Sequence, residues 1–155
     1  MSPSGLATTL SAVGIALGMA LGGNDPQAAL EAFTLWGLGT MGLVSAARHI
    51  LLPGELSGER EALGFANSTF FEWEAGFANL AFGAVAVLTS VGGWGVHAMA
   101  AVAIAYCTYL VGAAITHFAS GWRLGTLRRS LIYAAMVAAV VGAAVSRIVP
   151  ALSAA

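Results

Sequence analysis

The chain contains no lysine and few charged residues of any kind. Charged side chains occupy 8% of its 155 positions, whereas about 25% is usual in soluble domains. Most of the surface must therefore face something other than water, and a lipid bilayer is the expected partner. The formal net charge of −1 also excludes the basic face that nucleic-acid binding requires.

Cysteine is almost absent as well. The single Cys107 excludes an internal disulfide and a cysteine-rich metal site, and its apolar neighbours suit a small packing residue. The first 47 residues contain neither lysine nor arginine, so the positively charged start of a signal peptide is missing. We therefore interpret the first apolar run as a helix of the folded protein.

Long apolar runs are what the chain does have, and hydrophobic residues make up 59% of it. A helix needs roughly 20 apolar residues to cross a hydrocarbon core of about 30 Å. Five runs reach or approach that length, at about 5–22, 28–51, 68–91, 94–119 and 127–149. The sequence predicts an all-α, polytopic membrane helix bundle with about five transmembrane helices, in which residues 1–155 form a single integral membrane domain.

Small residues and a turn signal add detail near the N-terminus. Gly14, Gly18 and Gly22 recur every four residues, a spacing that suits close contact between helices in a membrane. Asp25 followed by Pro26 is typical of a helix start, because the carboxylate caps the first turn and proline occupies its first position. This pair should therefore introduce the second helix.

The positions of the arginines predict the orientation. The fourth connection is predicted as a loop that opens at 120–123. Five of the six arginines lie near the second and fourth connections, and only Arg147 lies near the other face. The five are Arg48, Arg60, Arg123, Arg128 and Arg129. Because cytoplasmic loops carry an excess of basic residues, we expect a multi-pass protein of the cell (inner) membrane with its N-terminus in the cytoplasm and its C-terminus outside.

The candidate functional residues gather at the cytoplasmic ends of three predicted helices. His49 ends the second helix, and His117 ends the fourth. Glu72 and Glu74 begin the third helix, and Asn79 follows them within it. Polar groups are costly in a membrane and usually face a protein interior, a cavity or a partner. A chemical site in this chain should therefore be built from these residues.

Helical phase divides the two carboxylates. One stripe of the third helix contains Glu72, Gly76, Asn79 and Gly83, and its glycines predict close contact with a neighbouring helix. Glu74 lies about 200° around the helix from Glu72. Each polar residue also has an ordinary interpretation, because first-turn glutamates oppose the helix dipole, terminal histidines lie at the interface, and asparagine forms bonds between helices.

The fourth predicted helix carries a second stripe of small residues, which contains Thr108, Gly112 and Thr116. Its two tyrosines, Tyr106 and Tyr109, have two interpretations. They pack in the interior, or they line a pocket. Packing is the more common use of a tyrosine at such a position.

The region 33–145 resembles an uncharacterised family of small prokaryotic integral membrane proteins, a domain of unknown function. The resemblance depends on ordered elements, which are Trp36-Gly37, His49, Pro53, Gly64-Phe65, the Glu-x-Gly-Phe-Ala-Asn-Leu run of Glu74 to Leu80, Gly83, Trp94, Gly112-Ala113-Ala114 and His117. It implies a membrane fold and no reaction. It draws attention to Glu74, Asn79, His49 and His117. The resemblance favours Glu74 as the interior carboxylate, whereas helical phase pairs Glu72 with Asn79, and both alternatives stay open.

Two functional hypotheses from different classes follow. The first is an accessory or structural component of a membrane complex, whose partners are other membrane subunits or further copies of the chain. The second is a membrane-embedded acid/base enzyme of the isomerase, cyclase or hydrolase type, acting on an isoprenoid- or lipid-like substrate. In the enzyme, Glu74 is the acid or base, His49 or His117 exchanges the proton, and Asn79 orients the substrate, since partial burial raises the pKa of a carboxylate.

A third hypothesis is metal or haem binding through His49, His117 and Glu74. Two imidazoles and one carboxylate make a reasonable ligand set. The helix-spaced pairs that such sites commonly use, Glu-x-x-His or His-x-x-x-His, do not occur in the chain. We therefore predict no cofactor, and whether the protein is an enzyme stays open.

Overall fold

The computed structural model describes residues 3–53, 69–124 and 127–155, and these residues form five helices and no β-strand. The helices are α1 (Pro3–Ala20), α2 (Pro26–Leu51), α3 (Thr69–Val91), α4 (Val96–Leu124) and α5 (Leu127–Ser153). The predicted all-α bundle is confirmed. Helices α2 to α5 are long and apolar enough to cross a membrane, whereas α1, apolar over Leu6–Ala20, is shorter.

The helix boundaries follow local signals, with one correction. Asp25 caps α2 as predicted, because its carboxylate accepts a hydrogen bond of 2.9 Å from the backbone N–H of Gln27. The fourth connection is shorter than predicted, because α4 continues to Leu124 through the predicted loop at 120–123. That stretch holds no proline, and one glycine within a helix costs only about 1 kcal/mol relative to alanine. Helix α5 likewise continues through Pro150 to Ser153.

Helix α2 changes its winding in the middle. Its segment Phe33–Gly39 is π-helical, between α-helical Pro26–Ala32 and Thr40–Leu51. Within it Thr34 is fully buried, and its hydroxyl has no hydrogen-bond partner. A π-helical turn is wider than an α-helical one and is uncommon, and nothing in the sequence predicts it.

Helix α1 lies antiparallel against α2 through its glycines. A Cβ on Gly14 would lie 2.6 Å from the carbonyl oxygen of Trp36, and one on Gly18 would lie 2.9 Å from the backbone nitrogen of Gly37. Gly22, in the turn just beyond α1, meets Ala29 in the same way. The glycine stripe predicted for close helix packing is therefore confirmed, and its partner is α2.

Helices α2 and α3 also approach each other at the backbone. A Cβ on Gly42 would lie 2.6 Å from the Cα of Gly83, so neither position has room for a side chain. Nearer the start of α3, a Cβ on Gly76 would lie 2.6 Å from Cγ1 of Ile50. The predicted close contact of the Gly76–Gly83 stripe with a neighbouring helix is confirmed.

Helices α4 and α5 form a second close pair. Buried side chains of both helices, such as Tyr106 on α4 and Val140 and Ala144 on α5, belong to the core. The pair joins the first three helices through contacts of α5 with the start of α2 and of α4 with α3. This arrangement buries one face of α5 and leaves its other faces exposed.

Candidate functional site

A contact between a histidine and a buried glutamate joins the end of α2 to the start of α3. His49 lies in the last turn of α2, and Glu72 lies in the first turn of α3. Nδ1 of His49 is 2.5 Å from Oε2 of Glu72. The helices can approach this closely because Gly76, one turn beyond Glu72, has no side chain to separate it from His49 and Ile50.

The environment of this pair is unusual for a carboxylate. The side chain of Glu72 is 0% exposed, and that of His49 is 19% exposed. A single proton between the two atoms makes the pair either a carboxylate with an imidazolium or a carboxylic acid with a neutral imidazole. In either form the contact offsets part of the cost of taking a carboxyl group away from water.

Asn79 forms a second polar cluster two turns further along α3. Its Nδ2 donates to the carbonyl of Ala75 at 2.8 Å and to the phenol oxygen of Tyr109 at 3.2 Å. Its Oδ1 accepts a hydrogen bond of 2.8 Å from the phenol of Tyr106. Asn79 is 4% exposed, and the amide therefore links α3 to α4 inside the bundle.

Aromatic rings surround this amide. The ring of Phe82 stacks on that of Tyr106 with centroids 5.0 Å apart, and it lies 5.5 Å from the ring of Tyr109. The sequence interpretation of the tyrosines as packing residues omitted their hydrogen bonds to Asn79. A signal was present, since a buried tyrosine needs a partner for its hydroxyl and Asn79 is the one amide within the apolar part of α3.

The other predicted site residues lie elsewhere. Glu74 is exposed on α3 and points away from the interior face that carries Glu72. His117 does not end the fourth helix as predicted, because α4 continues to Leu124. It is exposed about two turns before that end, and its ring contacts that of Tyr133 on α5 with centroids 4.6 Å apart. Its backbone carbonyl accepts a hydrogen bond of 2.8 Å from Ser130.

The structure thus brings His49 together with Glu72, and Asn79 together with two tyrosines. Within residues 3–53, 69–124 and 127–155, no three His, Cys, Asp or Glu side chains form a group that could hold a metal ion. Arg48, considered only as an orientation signal, is partly buried beside His49, and its Nε has no hydrogen-bond partner. The arrangement can share a proton across a helix interface.

A separate apolar groove lies between α4 and α5 on their outer side. It has a volume of about 440 Å³ and is lined by Ala, Val, Ile and Phe side chains from residues 111–119 and 134–141. Gly112 and Gly142 are not lining residues, because each follows one, Val111 or Val141, and points about 100° around its helix from it. A Cβ on either glycine would meet no atom of the chain within 4 Å.

Comparison with known proteins identifies the family. The family of unknown function DUF6790 matches residues 5–154, so the chain belongs to that family. No curated protein and no solved structure matches the chain. The family therefore agrees with the predicted resemblance to an uncharacterised group, and any function must be argued from the geometry.

Proposed function

We propose that this DUF6790 protein is a non-catalytic accessory subunit of a membrane complex. In this proposal the outer face of α4 and α5 binds a transmembrane helix of another subunit. The proposal depends on one observation, which is that Gly112 on α4 and Gly142 on α5 are exposed and have no atom within 4 Å of their Cβ positions.

A glycine within a helix lowers the stability of that helix unless another contact compensates. It is about 1 kcal/mol less favourable there than alanine, and close contact between helices in lipid is the usual compensation. Four glycines of α1, α2 and α3 follow this rule within the chain, since added Cβ atoms would clash with neighbouring backbone at Gly14, Gly18, Gly42 and Gly83. A helix from outside the chain could make the same close backbone contact with Gly112 and Gly142.

The groove beside these glycines suits the same partner. Its lining is apolar throughout, and it lies between the two helices that carry the glycines. A partner helix would place side chains in the groove and bring its backbone near Gly112 and Gly142. Thr108 and Thr116, on the stripe of Gly112, are also exposed, and their hydroxyls already donate to carbonyls of their own helix.

The internal polar groups fit a structural role. Asn79 uses both ends of its amide to connect α3 with α4. His49 and Glu72 connect α2 with α3. These contacts hold the helices in register, so each candidate catalytic residue in the interior has a structural task that requires no substrate.

We also propose the predicted location and orientation, a multi-pass protein of the inner membrane with a cytoplasmic N-terminus. The antiparallel contact of α1 with α2 supports this, because it places the start of α1 on the same side as the end of α2, where Arg48 lies. Labelling of intact cells tests it, with a cysteine introduced at Ser4 or at Ala155 of a chain in which Cys107 is replaced by alanine. We expect a membrane-impermeant maleimide to label position 155 alone, and labelling of position 4 alone would reverse the orientation.

Photo-crosslinking in native membranes tests the accessory role. In the test variant, a crosslinking amino acid replaces Ile115, which lines the groove and is 65% exposed. In the matched control it replaces Leu88 on α3, which is 55% exposed. We expect a discrete adduct with another protein from position 115 and none from position 88. An absent adduct, or the same products from both positions, would contradict the proposal. An adduct of twice the chain mass would instead identify a second copy as the partner.

The His49–Glu72 pair supports a second candidate function, the membrane-embedded acid/base enzyme. A carboxyl group that is 0% exposed and 2.5 Å from an imidazole is a suitable proton donor or acceptor. In this version Glu72 takes the role that the sequence alone assigned to Glu74. The substrate would be an isoprenoid- or lipid-like molecule that reaches the pair from the membrane.

Paired glutamine substitutions test this second candidate. If the protein is such an enzyme, the wild-type protein changes the cellular lipid profile. Glu72→Gln should abolish that change, and Glu74→Gln should preserve it. Both variants must be recovered folded from the membrane. Identical lipid profiles for cells that carry wild-type protein, Glu72→Gln or no protein would contradict the enzyme.

A further inference from the structure

A polar pocket lies at the end of the bundle opposite the His49–Glu72 pair. It has a volume of about 240 Å³ and lies between the connection of α1 to α2 and the last part of α5. The polar residues that line it are Asn24, Asp25, Ser146 and Arg147. Helix ends in a membrane protein lie at the level of the lipid headgroups, so this pocket opens where headgroups are present.

Arg147 brings a guanidinium with spare donors to the pocket. Its Nη2 donates a hydrogen bond of 2.8 Å to the carbonyl of Met19, in the last turn of α1, where backbone carbonyls lack helical partners. Its Nε has no hydrogen-bond partner but is buried, so the N–H groups left for a ligand are those of Nη1 and Nη2. Guanidinium groups bind phosphate oxygens through several N–H groups at once. Arg147 therefore holds a fixed positive charge suited to a phosphate.

Asp25 brings the opposite charge to the same pocket. One of its oxygens accepts the N–H of Gln27 and caps α2, but the carboxylate stays exposed. Asp25 and Arg147, both in the described part of the chain, do not form an ion pair with each other. The pocket thus presents a separated negative and positive group, which a ligand with both charges can join.

We propose that this pocket binds a phosphoethanolamine group, as carried by phosphatidylethanolamine, with the phosphate at Arg147 and the ammonium at Asp25. Ethanolamine's ammonium donates hydrogen bonds to a carboxylate, which the trimethylammonium of phosphatidylcholine cannot do. Phosphatidylglycerol has the phosphate but no cation for Asp25. The site should therefore prefer phosphatidylethanolamine to both. This inference is independent of the partner face on α4 and α5.

Native mass spectrometry of the full chain in detergent tests the preference. The probes are dioctanoyl forms of phosphatidylethanolamine, phosphatidylcholine and phosphatidylglycerol. We expect the wild-type protein to retain the ethanolamine lipid about tenfold better than either of the others, a difference of about 1.4 kcal/mol. Equal retention of the three lipids would overturn the proposal.

Two substitutions assign the charges. Asp25→Asn removes the negative charge and keeps a good helix cap, so we expect the ethanolamine lipid to fall to the level of the other two. Arg147→Gln should reduce retention of all three lipids, whereas Arg128→Gln, an exposed arginine at the other end of α5, should change none. If Arg147→Gln does not fold, Asp25→Asn still decides, because an unchanged lipid preference in that variant contradicts the proposal.

Free phosphoethanolamine distinguishes a lipid from a soluble ligand. If it displaces the ethanolamine lipid from the wild-type protein, the headgroup alone is sufficient, and a soluble zwitterion is the ligand class. If it does not displace the lipid while the lipid preference and its dependence on Asp25 hold, the acyl chains contribute and the ligand is a membrane lipid.

Discussion

The two parts of this bundle use the same residue type in opposite ways. In α1, α2 and α3, glycines lie where helix backbones touch, and Gly42 and Gly83 leave no space for a single methyl group. In α4 and α5, Gly112 and Gly142 face outward with nothing within 4 Å of their Cβ positions. The glycines of the first part that lie between helices have their contacts within the chain, whereas Gly112 and Gly142 have none there, and we propose that a partner helix supplies them. This difference is the basis of the accessory role.

The polar side chains divide in the same way. In the first part, Glu72 and Asn79 are buried and bonded to His49 and to Tyr106. On the outer face of α4, Thr108 and Thr116 are exposed and bonded to their own helix. Substitutions in the first part should therefore lower stability, whereas those on the outer face should leave the isolated chain unchanged.

The largest expected effect is at the His49–Glu72 pair. Glu72→Ala leaves the imidazole of His49 without its partner, which costs about 1–3 kcal/mol, and the cavity left by the fully buried Glu72 side chain adds to that loss. Glu74→Ala, the matched control, removes an exposed carboxylate from the same turn of α3 and should leave stability nearly unchanged. Unfolding of both variants in mild detergent measures the difference. Equal losses of stability in the two variants would contradict the assignment of Glu72 as buried and Glu74 as exposed.

The glycines give the next largest effect. Gly83→Ala places a methyl group against Gly42, and overpacking of this kind costs about 1–3 kcal/mol. Gly142→Ala meets no atom within 4 Å and should leave the isolated chain as stable or about 1 kcal/mol more stable, because alanine favours helix. The same unfolding assay compares them. A loss of stability in Gly142→Ala would contradict the distinction between packed glycines in the first part and unpacked glycines in α4 and α5.

A smaller effect is expected at the hydrogen bond that joins the parts. Tyr106→Phe removes the donor to Oδ1 of Asn79, and such bonds within membrane proteins contribute about 0.6 kcal/mol on average. Thr108→Val on the outer face of the same helix removes a hydroxyl bonded only to the carbonyl of Ile104 and should have less effect. If Thr108→Val is the more harmful of the two, the polar contacts of α4 have been assigned to the wrong face.

Much of the fold could be predicted from the sequence, because its signals are local. Apolar length predicts the long helices, and the pair Asp25-Pro26 predicts the start of α2. Helical phase placed Glu72 and Asn79 on one face, and the structure buries both, while Glu74 is exposed. A spacing within one helix fixes relative direction whatever the neighbours do.

What the sequence could not show depends on contacts between helices. The bond from Tyr106 to Asn79 depends on how α3 and α4 rotate relative to each other, which no local pattern records. The histidines near the ends of α2 and α4 were predicted at one depth, but depth does not determine direction, and the ring of His117 packs against Tyr133 on α5. The π-helical segment Phe33–Gly39 has no compositional signal.

The most direct test of the accessory role is the mass of the complex that carries this chain in its native membrane. Wild-type protein and the double variant Gly112→Leu/Gly142→Leu are extracted with their lipids into polymer discs and weighed by native mass spectrometry. A Cβ at either position meets no atom within 4 Å, and both glycines are exposed, so we expect the variant to fold while its outer face no longer admits a helix. We predict that the wild-type chain is found with another subunit and that the double variant is found alone. A wild-type chain found alone would contradict the account.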